Sequence, residues 1–514
     1  MKTIALILSG SLLLPLALRA ELKIPAIFGD HMVLQQQQSD PIWGWDTPGT
    51  EISVAFSGQH LTTRAGGDGK WVVKFAPLPA NATPQSILIQ GTSTREIKDV
   101  LVGEVWICSG QSNMGFKLAD EWNGDLEAAA ANFPNIRLIN VPALGTQELQ
   151  ADFKAWWQAS TPETARKFSA VGFLFGRQIH QILNVPVGLI NNAWGGSCAE
   201  AWVPRAALEK DSRFNLLMES TAKREAELLP DQGKAEYERQ LADWKSECAK
   251  LGSTNPPSPP EKWLSGRARP GNIFAGVLHP LIGFGIKGVI WYQGESNAGR
   301  AYEYASLFPF LIEQWRKEWG QGDFPFYWVQ LANYHGVSPT PRESSWAELR
   351  EAQTRTLQLT NTGQAVIIDL GEGKNIHPRN KHDVAARLVR WALVKDYGMK
   401  LPYRSPELKS LAISSNQAVV TLECFGSRLR PFGVEEAKGF ALCGADKVWH
   451  WAVGKIVGAN QVEVWSDEVK APIAVRYAWG DNPVCNLASN DGLPVTPFRT
   501  DDFAMITKPK PAVK

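Results

Sequence analysis

The chain has 514 residues, 44% apolar and 20% charged, which excludes an intrinsically disordered protein and gives enough length for two or three hydrophobic cores. Its 53 basic and 52 acidic side chains nearly cancel; without Lys2 and Arg19 near the start, 51 stand against 52, a balance of −1. A near-neutral chain without Lys/Arg blocks has no electrostatic footprint for nucleic acid or an anionic membrane, so neither is expected as a partner.

Residues 1–20 read as an export leader. Lys2 supplies the positive start, Ile4 to Leu18 is apolar apart from Ser, Gly and Pro, and Ala20 is a small residue before the cleavage point. The run is short for a membrane span, so a periplasmic or extracellular protein with no membrane insertion after leader removal is expected. Export permits disulfides. The six cysteines, Cys108, Cys198, Cys248, Cys424, Cys443 and Cys485, show no CxxC pair and no metal-ligand spacing, although Cys424 and Cys443 share a β-rich region and could pair.

Residues 21–97 read as all-β. Short segments such as Pro41 to Trp45, Glu51 to Phe56 and Lys70 to Phe75 are separated by Pro and Gly turns. From residue 98 to 404 the pattern changes to unalternated apolar runs: Val102–Ile107, Ile136–Val141, Val187–Ile190, Val289–Tyr292, Phe326–Leu331 and Val366–Leu370. Stretches with helical spacing, for example Ser169–Leu183 and Val384–Val394, lie between several of them. A parallel sheet buried on both faces, an α/β domain, requires that arrangement. Residues 205–263 interrupt it with a highly charged, helically spaced stretch ended by Pro256-Pro257-Ser258-Pro259-Pro260, read as a solvated insertion rather than a lid. Short β segments return over 405–510 and suggest a sandwich-like C-terminal domain. The 21 tryptophans are expected mainly in cores and interfaces.

Ligands of an open parallel sheet bind beyond the carboxyl ends of its strands, so the loops after the apolar runs hold the candidate chemistry. The first is Ser109-Gly110-Gln111-Ser112-Asn113-Met114-Gly115, where a small Gly-flanked turn can expose a Ser hydroxyl beside backbone N–H groups. Asn191 to Ser197 contains the pair Gly195-Gly196, whose N–H groups suit an oxyanion. Trp291 to Asn297 carries Gln293 and Asn297 as side-chain oxyanion donors, with Glu295 expected to brace the loops. The last loop, Gly371 to Pro378, carries His377, and an imidazole is the usual base for a Ser hydroxyl. His382 falls at the start of the following helix and His279 lies in apolar surroundings.

Together these loops resemble the sialate O-acetylesterase family within the SGNH-type hydrolases. The matching pieces are Ser109-Gly110-Gln111-Ser112-Asn113-Met114; Gly195-Gly196-Ser197 with Glu200-Ala201-Trp202; Trp291 to Asn297; and Ile376-His377-Pro378-Arg379-Asn380-Lys381. Asp30 to Gln35 and Trp43-Gly44-Trp45 near the start, and Arg476 to Pro483 and Gly492 to Asp501 near the end, extend the likeness over almost the whole mature chain.

The resemblance implies an SGNH-hydrolase-like three-layer domain flanked by β-rich, sandwich-like domains. It implies Ser112 as nucleophile and His377 as base, with no metal and no cofactor. The oxyanion hole would combine the N–H groups of Ser112 and Gly196 with Gln293 or Asn297. One departure stands out: the family often has Asp at the third and second positions before the His, where this chain has Lys374 and Asn375. The group that orients His377 is therefore open between Asn375, a backbone carbonyl, Asp369 and Glu372. The expected activity is O-acetyl removal from carbohydrate, sialic acid first and acetylated xylan or another glycan second. The alternatives are an esterase for other acyl groups and an inactive sugar-binding protein.

Overall fold

The computed structural model describes residues 21–228, 235, 238–246 and 263–509. The leader, Cys248 and the proline-rich end of the charged insertion lie outside the described residues.

The central sheet is built from β1 (Thr94–Gly110), β2 (Phe133–Asn140), β3 (Gln158–Ser160), β4 (Val187–Ala193), β5 (Gly288–Tyr292), β6 (Phe326–Val329) and β7 (Thr362–Ala365). Their spatial order is β7-β6-β5-β1-β4-β2-β3, all parallel except the β2–β3 pair. Successive residues of a strand face opposite sides, and here both sides are buried. Val105, Ile107, Val289 and Trp291 pack with α3 (Ala301–Trp319) and α4 (Ser345–Arg355). Trp106, Cys108, Ile290 and Tyr292 pack with α2 (Ala170–Leu183) and α5 (Lys381–Lys395). The result is the α/β three-layer domain expected from the unalternated runs.

Two boundaries differ from the sequence pattern. The N-terminal β unit is joined to the central sheet by one continuous strand. β1 pairs antiparallel with Asn81–Gln90 through its first half and parallel with β4 and β5 through its second. The expected division at 97/98 therefore falls inside a strand, since backbone pairing continues where side-chain patterning switches from alternating to uniform. Secondly, the run Val366–Leu370 lies just past β7 rather than forming it. It is apolar because Val366 and Ile368 pack into the core of the C-terminal unit.

That unit is a seven-stranded antiparallel sheet running from Glu407–Ser414 at one edge to Phe498–Arg499 at the other. Its Cys424 and Cys443 are free thiols, as are Cys108, Cys198 and Cys485, so the pairing of Cys424 with Cys443 is not formed. In the charged insertion, the helix Asn215–Glu227 buries only Thr221 and is fastened to the body by Arg205 and Arg269, which both bond Glu225. Among the described residues, no helix is long and apolar enough to cross a membrane.

Candidate active site

β1 ends at Gly110, and a single helical turn, α1 (Ser112–Gly115), follows immediately. Gly110 has φ +129°, and a Cβ there would sit 2.3 Å from the carbonyl oxygen of Tyr292 on the adjacent strand. Only glycine permits that approach, which lets Gln111 N–H donate to the same oxygen at 2.9 Å and swings Ser112 over the strand ends. Ser112 is the first residue of α1, so its N–H belongs to the first turn, whose donors have no partner within the helix.

The loop after β7 returns over the same edge. His377 Nε2 lies 2.7 Å from Ser112 Oγ, a hydrogen bond between side chains 265 positions apart. Partial burial first, and the charge of Lys381 second, hold the imidazole below its usual pKa, which favours the neutral ring a general base requires. The rival histidines are elsewhere occupied. His279 Nδ1 sits 2.6 Å from the Gln150 carbonyl, and His382 stands half exposed beside Asp383. The nearby thiols are not rivals for the nucleophile, since burial pushes Cys108 far up and Cys198 up to about 12.

None of the three side chains expected to orient His377 hydrogen-bonds its ring. Asn375 Oδ1 accepts from the His377 backbone N–H at 3.0 Å, so it shapes the loop rather than the imidazole. Glu372 accepts from the backbone N–H of Arg379 at 2.7 Å and faces the Asn375 amide. Asp369 is held by both arms of Arg387 at 2.6 and 2.7 Å. Arg379, adjacent in sequence to the base, donates to the carbonyls of Asp120 and Glu121 and so ties the loop down.

Gly195 and Gly196 lie against the nucleophile. A Cβ at Gly195 would come 3.3 Å from that of Ser112, and Gly196 has φ +70°. The guanidinium of Arg267 covers the turn: Nη1 donates to Gly195 O at 2.8 Å, and Cζ lies 2.9 Å from where a Gly196 Cβ would be. Arg267 arrives on the segment returning from the charged insertion, which gave no sequence signal for it.

Gln293 and Asn297 are placed differently from the expected oxyanion donors. The Gln293 amide is fully buried and donates to Ser197 O at 3.1 Å and Asn297 Oδ1 at 2.7 Å. Asn297, also buried, accepts from Ala199 N–H and donates to Glu200 Oε2, each at 2.9 Å. Glu200 in turn pairs with Arg300. Geometry commits these side chains to bracing the loops after β4 and β5.

Two residues in the matching motifs had no assigned role, and the structure gives them one. Asn113 Nδ2 donates to Glu295 Oε1 at 2.6 Å and to the Ile376 carbonyl at 3.0 Å, while its Oδ1 accepts from Lys381 Nζ at 2.6 Å. Lys381 is completely buried, over the rings of Phe116 and Tyr292, and desolvation brings its ammonium down to about 7. Burial likewise raises Glu295. A lysine at the start of a helix opposes the helix dipole, so its place there is set by the site and not by helix stability. Its signal was its position: Lys381 occupies the same helical stripe as Val384, Ala385 and Leu388.

The model of a carbohydrate esterase family described as sialic acid-specific acetylesterase matches residues 102–253 and 271–387, which include Ser112, Asn113, Gly195, Gly196, Gln293, Asn297, His377 and Lys381 but not Arg267. The chain belongs to that family. A crystal structure of a carbohydrate acetylesterase from Xanthomonas citri superposes with a TM-score of 0.79 at 37% identity, covering 94% of this chain and 100% of that one. Sialate O-acetylesterase of mouse is 29% identical over 494 residues, 88% of each chain, and that of human 27% identical over 541 residues, 95% of each. A carboxylic ester hydrolase acting on carbohydrate is thereby identified.

Proposed function

We propose that this carbohydrate esterase removes O-acetyl groups from a glycan by a Ser112–His377 dyad. The observation that carries the reading is the 2.7 Å approach of His377 Nε2 to Ser112 Oγ. His377 takes the Ser112 proton as Oγ attacks the acetyl carbonyl. The N–H groups of Ser112 and Gly196 receive the charge that develops on the carbonyl oxygen. The sugar oxygen leaves with the proton from His377, and a water activated by the same imidazole then releases acetate from acetyl-Ser112.

Among the described residues no carboxylate bonds the His377 ring, so orientation falls to its backbone. The Asn375 side chain holds its N–H, and Asn113 holds the preceding carbonyl. Acetylated sialic acid is the leading substrate, supported by the names of the mammalian relatives and by the cationic Arg267 beside the turn, which suits a carboxylate-bearing sugar. Acetylated xylan is the alternative.

Acetate release from O-acetylated sialic acid and from acetylated xylan, with wild type and Ser112→Ala, tests both parts. Wild type is expected to release acetate and to prefer one substrate; Ser112→Ala is expected to release none. Wild-type rates in Ser112→Ala would overturn the assignment. Export is proposed from residues 1–20 alone, and the N-terminus of protein recovered outside the cytoplasm should then be Glu21.

A further inference from the structure

Between the C-terminal sheet and the loop after β6 lies a cavity of about 270 Å³ that no step of the reaction uses. Its size is near the lower end of the roughly 300–1,000 Å³ of small-molecule sites, room for one compact ring. Two tryptophans contribute to it in different ways. Trp451 is 40% exposed, and its indole N–H is anchored on the Pro339 carbonyl at 2.9 Å, which fixes the ring while leaving part of it open. Trp479 is only 6% exposed and has the guanidinium groups of Arg476 and Arg499 over its ring, 5.0 and 5.2 Å from the centroid. Its indole N–H has no hydrogen-bond partner among the described residues. That N–H is enclosed rather than open to the cavity, so Trp479 contributes a wall and not a donor. The charges around the cavity cancel, Arg342 and Lys438 against Glu436 and Asp481, which favours an uncharged ligand over an anion.

A ring with an apolar face and hydroxyl edges suits that lining, stacking on the fixed, partly open indole of Trp451. We propose that this cavity is a second glycan subsite, holding one neutral pyranose unit other than the one being deacetylated. The proposal rests on the carbohydrate reading above. Its wall is tied to the catalytic loop. Asn482 donates to the His335 carbonyl and accepts from Asn333, each at 2.7 Å, and Asn333 in turn accepts from Gly371 N–H at 2.7 Å. A Cβ at Gly373 would lie 2.8 Å from the Asn482 amide. Asn482 therefore stands between a sugar held there and the loop that carries His377.

Calorimetric titration of the full chain with two unacetylated probes, lactose and xylohexaose, tests this without turnover. At least one should bind wild type, Trp451→Phe and Trp479→Phe should retain it, and Trp451→Ala should weaken it about tenfold or more. p-Nitrophenyl acetate, too small to reach the subsite, should be hydrolysed within about twofold of wild type by all three variants, which also shows that they fold. Failure of both sugars to bind wild type, or undiminished binding by Trp451→Ala, would overturn the subsite. Binding that follows the expected pattern in a protein inactive on p-nitrophenyl acetate would leave the subsite standing and remove the esterase reading instead.

Discussion

The Asn113 side chain donates to the backbone carbonyl of Ile376 at 3.0 Å across 263 positions of chain. Asn113 follows the nucleophile and Ile376 precedes the base, so one amide fastens the two loops whose approach makes the site. Its orientation is set by charge: the ammonium of Lys381 addresses its oxygen, and the carboxyl of Glu295 addresses its nitrogen.

Asn113→Ala removes that fastening without touching either reacting side chain. Displacement of a reacting group by about 1 Å costs on the order of 100-fold, so kcat should fall roughly 10- to 100-fold with KM changed little. Steady-state kinetics on p-nitrophenyl acetate would show it. A wild-type kcat would mean that the loops are held by other contacts.

The pH dependence follows from the depressed His377. Activity requires the neutral ring, so kcat/KM should rise with pH through a midpoint below the ordinary imidazole value of 6.5. The nearby ammonium of Lys381 contributes to the depression after burial does. Lys381→Met removes a like charge and should move the acid limb to higher pH. A profile unchanged in Lys381→Met would separate the lysine from the base.

Gly196→Ala forces a side chain into a left-handed turn and against Arg267 Cζ, 2.9 Å away. The turn must shift, taking its N–H from the oxyanion position proposed for it. Loss of one such donor costs about 100-fold or more in kcat. Unaltered kcat in the folded variant would remove Gly196 from the oxyanion hole.

Gln293→Leu and Asn297→Leu should act on stability. Each leaves buried partners unpaired, at about 1–3 kcal/mol, so thermal melting should fall by several degrees while kcat stays within about tenfold. A hundredfold loss of kcat at unchanged melting temperature would return them to the oxyanion hole.

What the sequence disclosed was what depends on one segment at a time. Uniform apolar runs gave away the buried parallel strands, and the small and polar residues after them marked the loops that carry Ser112, Gly196 and His377. What it concealed depends on two segments at once. Nothing in Gln293 or Asn297 tells whether an amide hydrogen points to a ligand or to Ser197 and Glu200, because the partner lies about 100 positions away. The carboxyl of Asp369 is near His377 in sequence but is claimed by Arg387 on α5. Backbone pairing carried β1 through a change of side-chain pattern that otherwise reads as a domain boundary.

The central claim is that Ser112 and His377 act as one unit, and the direct measurement is p-nitrophenyl acetate hydrolysis by Ser112→Ala, His377→Ala and the double variant. Each single change should lower kcat by about 10⁴–10⁶, and the double variant should be no slower than the worse of the two. Losses that multiply in the double variant, or a wild-type rate in either single one, would contradict it.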